Sequence, residues 1–322
     1  MTERIVPTVV EGARAGLLAA FLALPTAVWA HAPEAGARAG TFVPWTFEPW
    51  VVGSLLVSGA LYALGLHRLW RKAGRDRGVH GTQAAAFAAG WLVLVVALVS
   101  PLDALGGLLF SGHMVQHELL MVVAAPLLVM SRPLAVWTWG LPVTWRRAAG
   151  HCAASAPVAW LWRLLTYPPA AWALHGVALW AWHVPSAFEA ALASNAIHAL
   201  QHISFLFTAL LFWWAPLGRA ARTDSGASML YLFTTMVHTG ALGALLTLSP
   251  TLWYPAYAGS TAAFALDPLE DQQIGGLIMW IPAGIVYAIA ALVLLAGWLR
   301  KSEIQTSKRE RTVEPSIAAA RV

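Results

Sequence analysis

Cysteine is almost missing from this chain of 322 residues: Cys152 stands alone. A single thiol excludes a disulfide framework and any metal site built from two or more thiolates of one chain. A metal held here must therefore sit on imidazole, thioether or oxygen. Charge is scarce too, with 11% Asp, Glu, Lys and Arg against 59% hydrophobic residues, too little polar surface to cover a water-soluble globule. The apolar surplus calls for lipid as solvent. A phosphate loop, a dinucleotide fingerprint, a serine nucleophile elbow and a zinc-protease signature are all missing. The common soluble active sites are thereby set aside, as is a nucleotide-driven pump. The formal charge of +5 does not argue for nucleic acid, because its distribution follows the sides of a membrane.

Residues 1–30 carry Arg4 and Arg14, then the apolar run from Leu17 to Leu24, then Val28-Trp29-Ala30, a small-residue pattern before a cleavage point. They read as a signal peptide cut before His31. The other reading is an extra N-terminal span, since the run is short and holds Pro25. After it, windows of the roughly 20 apolar residues that cross a ~30 Å bilayer core recur near 47–66, 83–99, 105–130, 170–182, 196–214, 229–248 and 274–299. The expected fold is thus all-α, a polytopic integral membrane protein with about seven transmembrane helices over 31–299. The fourth window is the shortest, and 160–167 either lengthen it or lie along the interface. Residues 300–322 are polar and charged, and read as a disordered cytoplasmic tail.

Lys and Arg sort to one side. Arg68, Arg71, Lys72, Arg75 and Arg77 follow the first window, Arg132, Arg146, Arg147 and Arg163 the third, Arg219 and Arg222 the fifth, and a basic group from Arg300 onward the seventh. The connections 100–112, 184–195 and 250–273 hold none and carry Asp103, Glu189, Asp267, Glu270 and Asp271 instead. The positive-inside rule then places the C-terminus in the cytoplasm of a bacterial inner membrane and the mature N-terminus outside. An acidic outer face free of lysine attracts cations.

Histidine is where the sequence becomes specific. His113-Met114-Val115-Gln116-His117 and His198-Ala199-Leu200-Gln201-His202 are two copies of H-x-x-Q-H. Positions i and i+4 share one helix face about 6 Å apart along the axis. Both copies open a span at the outer surface in this orientation. His183 closes the fourth window at the same level, and His238 lies a turn or two deeper. Met121 follows His117 by one turn, while Asp103 and Asp271 approach from outer connections.

A lone intramembrane histidine is commonly a neutral imidazole bonded to a neighbouring helix. Repeated pairs at ligand spacing crowd many imidazoles into one volume, which favours metal ligation. Thioether and imidazole facing an oxidising compartment select copper, and too few cysteines remain for the usual structural zinc set. Gln116 and Gln201 either fix an imidazole tautomer or bond between helices. The 18 tryptophans cluster near span ends and read mostly as interfacial anchors. Pro126 is the proline placed to bend a ligand-bearing helix. Two other readings stay open: a haem-binding membrane electron-transfer protein with its haem between histidines, and a transporter that moves copper across the bilayer.

The ordered set Ser100-Pro101-Leu102-Asp103, His113 to His117, Ala125-Pro126-Leu127-Leu128 with Arg132-Pro133, Trp182-His183-Val184-Pro185, His198 to His202, Phe212-Trp213 and Asp271-Gln272-Gln273-Ile274-Gly275-Gly276 with Met279-Trp280 resembles the multi-spanning CtaG family of cytochrome c oxidase assembly factors. The likeness runs from about residue 47 to 299. It implies a seven-helix membrane factor, not an enzyme, that matures a haem–copper oxidase by supplying copper. Its partners would be oxidase subunits, membrane lipid and a periplasmic copper donor. It carries His113, His117, His183, His198, His202 and Asp271 over as ligands, to which the residue reading adds His238, Asp103 and Met121.

Overall fold

The computed structural model describes residues 43–218 and 225–319. The expected signal peptide at 1–30 lies outside them. The described residues form helices and connecting turns, with no strand among them. Six helical stretches are long and apolar enough to cross a membrane, so the protein is polytopic and all-α: Pro49–Ala73, Gly81–Leu98, Phe110–Met130, Asn195–Leu217, Gly226–Leu248 and Pro268–Arg300.

In chain order, α1 (Pro49–Ala73) starts on a proline, whose fixed φ suits a first helical turn, and ends at Gly74 with φ 92°. Then come α2 (Gly81–Leu98) and the short α3 (Pro101–Gly106), whose N-cap Ser100 accepts a hydrogen bond from the Leu102 amide at 3.2 Å. The third crossing is built in three parts: α4 (Phe110–Glu118), a π-helical turn (Leu119–Ala124) and α5 (Ala125–Met130). Pro126 accounts for the middle part. It lacks an N–H and its ring clashes with the carbonyl four residues back, in an ordinary helix that of Val122. Widening the turn relieves the clash, with Ala125 N–H bonding the Leu120 carbonyl instead. Trp213 Nε1 donates to the Met121 carbonyl in this turn at 2.9 Å.

Three helices follow without crossing: α6 (Pro133–Gly140), α7 (Val143–Ala154) and α8 (Ala156–Leu165). The fourth apolar window is α9 (Pro168–Trp182), shorter than the six stretches above; it carries the chain back to the level of α4, since His183 at its end reaches 6.2 Å from His117. Its 15 residues rise about 22 Å at 1.5 Å each, short of a ~30 Å core. The Pro168-Pro169 pair keeps α8 from running into it. By length and apolarity alone six described helices qualify, with α9 as a shorter apolar helix between the third and fourth of them. Beyond α9 lie α10 (Pro185–Ala193), α11 (Asn195–Leu217), α12 (Ser225–Leu248), two short 3₁₀ turns at Pro255–Tyr257 and Thr261–Phe264, and α13 (Pro268–Ala319). Residues 300–319, expected to be disordered, continue the last helix. Their Lys, Arg, Glu and Gln are good helix formers, and extending a formed helix avoids the cost of a new nucleus.

The Phe110–Met130 crossing sits at the centre of the bundle: 61% of its apolar window is buried, against 17% for Pro268–Arg300. Close approach of α12 and α13 rests on glycine, as is common where lipid supplies no hydrophobic drive between helices. A Cβ on Gly243 would stand 2.8 Å from the Gly276 carbonyl. One helical turn along α13 from Asp271, Gly275 leaves room for the ring of Phe110. The fold thus presses α13 against the head of the histidine-bearing helix α4.

Candidate metal centre

Five of the histidines singled out in the sequence meet. Each H-x-x-Q-H pair comes together on its own helix, with ring centroids 4.4 Å apart and edge-on for His113 and His117 on α4, and 4.2 Å apart and tilted for His198 and His202 on α11. Across helices His113 lies 5.2 Å from His198 and His117 lies 5.4 Å from His202. His183, the residue after α9, brings its ring to 6.2 Å from His117. One ligand nitrogen from each of His113, His117 and His202 falls within 4.8 Å of the other two. Metal–nitrogen bonds of about 2.0–2.1 Å hold two nitrogens no more than about 4.2 Å apart, so sub-ångström side-chain shifts close this set on one ion.

Burial makes the cluster unusual. His113 and His117 are 1% exposed, His183 2% and His202 7%. Both ring nitrogens of His117, and Nε2 of His183, His198 and His202, are buried without a hydrogen-bond partner. A buried polar atom left unpaired costs about 1–3 kcal/mol, so a fold that keeps five together has a ligand to gain. The donor set fits a d-block cation that accepts imidazole.

Neighbours fix two tautomers. His183 Nδ1 donates to the Leu179 carbonyl at 2.7 Å, so Nε2 keeps its lone pair. His113 Nδ1 donates to the Gly106 carbonyl at 3.2 Å, which leaves Nε2 as an acceptor facing Gln201 Oε1 at 3.3 Å. Gln201 Nε2 meanwhile has no partner. Turning the amide over satisfies both groups, and it frees Nε2 for a metal when the amide withdraws. Gln116 has the other role considered for it: its Nε2 donates to the Ala97 carbonyl at 2.7 Å and to Asp103 at 2.6 Å, tying α4 to α2 and α3.

The remaining expected ligands have other work. Asp271 is fully buried but caps α4: its carboxylate accepts the backbone N–H of Phe110 at 2.6 Å and of Ser111 at 3.2 Å, and the Ser111 hydroxyl. Negative charge at a helix N-terminus is favourable. Asp103 stands beside the cluster, bonded to Gln116 and near enough to His198 to act on it electrostatically. The contact of Met121 is through its backbone carbonyl, in the π turn. His238 is not in the cluster. Its ring meets Trp172 edge-on at 5.5 Å and packs over Gly176 of α9, close to His175, which bonds Thr208 at 3.3 Å. Depth along a span was readable for His238; the direction it faces was not.

An aromatic roof covers the cluster, and the sequence reading missed it. Tyr257 Oη donates to the Gly106 carbonyl at 2.9 Å and lies 3.3 Å from His113 Nδ1. Tyr254 Oη donates to the His183 carbonyl at 2.8 Å. Phe188 packs between them, 4.9 Å from the His113 ring and 4.4 Å from Tyr254. Burial pushes both phenols well above their usual range, with Asp271 adding to the effect on Tyr257; both remain donors. Glu118 was missed as well. One carboxylate oxygen, Oε2, is buried without a partner, and the side chain lies close to Tyr287 of α13. Its signal was plain in the sequence: an acid inside an apolar window, next to His117.

Fold and site together define a polytopic helical membrane protein with a roofed, buried imidazole cluster. A family model described as "Cytochrome c oxidase caa3 assembly factor (Caa3_CtaG)" matches residues 60–301, and the chain belongs to that family. It is also 26% identical over 289 residues to an uncharacterized protein of Mycobacterium leprae, covering 86% of this chain and 43% of that protein. An uncharacterized protein of Mycobacterium bovis is 26% identical over 315 residues, 93% of this chain and 46% of its own length. The chain therefore spans less than half the length of these relatives. No solved structure matches it.

Proposed function

We propose that this protein receives copper ions at the imidazole cluster and hands them to a haem–copper oxidase during assembly. Copper is the cargo, held by His113, His117 and His202, with His183 and His198 within reach to take it on or pass it along. The observation that carries the reading is the set of five unpaired, buried imidazole nitrogens in one volume, in a chain of the oxidase assembly family. Partial ligation by neutral side chains suits delivery, since exchange is easier from an open set than from a closed one. Sorting of Lys and Arg supports a cluster near the outer face. Asp103 would draw cations to the half-buried His198, and a periplasmic donor would load the site from there.

Metal analysis of the purified protein tests the reading. Copper should co-purify with the wild type and be lost when His113, His117, His198 and His202 are all alanine; equal copper in the two sinks the idea. Haem between histidines is disfavoured, because the rings crowd one volume that Phe188 and Phe205 fill. A Soret band would restore it. Passage across the bilayer draws on one observation, the His175 and His238 neighbours beyond the cluster. Copper uptake by reconstituted vesicles that depends on those two residues would put transport first.

A further inference from the structure

At the Lys- and Arg-rich end of the bundle, α1 and α6 meet closely. A Cβ on Gly140 would stand 2.5 Å from the Leu61 carbonyl, so glycine lets the two backbones approach. Arg68 of α1 then closes the C-terminus of α6: its Nη1 donates to the carbonyls of Trp139, Gly140 and Leu141 at 3.3, 2.7 and 3.2 Å, in a stretch where a helix end leaves carbonyls without partners. With the end of α6 fixed in this way, Trp139 holds its indole where two more cations reach it. Lys72 Nζ, from the last turn of α1, lies 5.5 Å from the ring centroid, and the Arg146 guanidinium of α7 lies 4.6 Å from it. Each contact is favourable by itself.

Together the two cations are unbalanced. At most about 10 Å separates them, the range over which salt leaves charges unscreened, and Arg71, Arg75, Arg77 and Arg147 flank them in the sequence. Asp76 is the acid of the turn after α1, and one of its oxygens is spent on the Gly81 amide at 2.6 Å. Among the described residues no carboxylate pairs with Lys72 or Arg146. Sorting of Lys and Arg to one side of a membrane accounts for the residue types. It does not account for two of them converging on one indole without an acid. The surroundings are amphiphilic: Trp145, next to Arg146, is 69% exposed and Val143 50%, while Leu64, two turns before Lys72 on α1, is 49% exposed. Cations at the end of a span, an indole at the boundary and apolar side chains beside them match a phosphate that carries acyl chains. A soluble phosphate would have no use for the apolar part.

We infer that this corner binds the phosphate of an anionic phospholipid, with Lys72 and Arg146 each taking one of its free oxygens and the Trp139 indole holding both cations in place. Charge-assisted hydrogen bonds of that kind are the strong ones. The headgroup then ties α7 to the end of α1. The site is separate from the histidine cluster and does not depend on the copper-transfer reading.

Equilibrium binding to the full chain in an uncharged detergent tests the site, followed by microscale thermophoresis with dioctanoyl phosphatidylglycerol, dioctanoyl phosphatidylcholine and inorganic phosphate as probes. Phosphatidylglycerol should bind in preference to phosphatidylcholine, and an excess of inorganic phosphate should not displace it. Each cation near an anionic surface strengthens attachment about fivefold. Lys72→Gln combined with Arg146→Gln should therefore weaken phosphatidylglycerol binding on the order of 20-fold, while Arg163→Gln, which removes a cation of α8 that does not meet Trp139, should leave it unchanged. Equal binding of the two lipids, displacement by phosphate, wild-type affinity in the double variant or an equal loss in Arg163→Gln would overturn the lipid site. If the double variant fails to accumulate, salt decides: wild-type binding should fall between ~0.05 and ~0.5 M salt as the charges are screened, and binding indifferent to salt would overturn the site.

Discussion

Asp271, at the head of α13, holds the head of α4 by accepting the backbone amides of Phe110 and Ser111, although 161 residues separate it from Phe110. His113 follows two residues after Ser111. An acid expected to bind metal is therefore a clamp that sets where the first histidine-bearing turn begins.

Replacing the clamp should weaken the fold before it changes the ligand set. Asp271→Ala leaves two buried amides and a hydroxyl unpaired, and we expect a stability loss of about 1–3 kcal/mol for each buried amide left unpaired. Asp271→Asn, which keeps one acceptor oxygen, should lose less. Thermal unfolding in detergent measures the loss. X-ray absorption on copper-loaded Asp271→Asn should report the wild-type nitrogen shell, and loss of an oxygen ligand there would return Asp271 to the metal.

His117 offers the opposite trade. Both of its ring nitrogens are buried and unpaired, so His117→Leu removes a polar group the metal-free fold cannot satisfy. Metal-free protein should gain stability, on the order of 1 kcal/mol, while copper binding falls steeply. A variant that is less stable and still binds copper would show that His117 is held by something other than its vacant valence.

Copper retention should fall with acidity. Ligation needs neutral imidazole, and protonation competes for the same lone pair, near pH ~6.5 for a free side chain. The sign is fixed: bound copper is retained above that range and released as pH drops through it. Equilibrium dialysis across pH 5 to 8, at about half-unit steps, reads the release, and a flat profile would count against imidazole ligands.

Orientation has its own assay. With exposed Cys152 changed to serine, Gly107→Cys and Ser186→Cys should react with an impermeant thiol reagent added outside intact cells. Thr144→Cys should react only after permeabilisation. All three positions are exposed. Gly107 and Ser186 facing opposite compartments would separate the two histidine pairs from a common outer layer.

Much of this site could be read from the chain, because its signals are local. A spacing of four from His113 to His117, and again from His198 to His202, fixes a shared helix face whatever the neighbours do. His183 was placed by the end of its apolar window, and the distortion near Pro126 by proline's missing N–H. What stayed hidden depends on contacts between distant segments. Asp271 caps a helix that ends a connection far away, Tyr254 and Tyr257 act from a turn with no repeating pattern, and the facing of His238 follows from how α12 rotates against α9. The bounds of the fourth apolar window were hard to read for a related reason. Apolarity runs on through neighbouring helices, and it is the Pro168-Pro169 pair that sets where α9 begins.

The roof over the histidines sets a clock. Since the Tyr254 and Tyr257 hydroxyls each grip the backbone of a different segment around the cluster, at the His183 and Gly106 carbonyls, an ion cannot come or go on that side faster than both grips loosen. If the cluster takes copper as proposed, dwell time there would be governed by how often the loop lifts, not only by how tightly nitrogen holds metal. Such a site could shield a reactive ion during a slow search for its recipient while remaining thermodynamically ready to give it up.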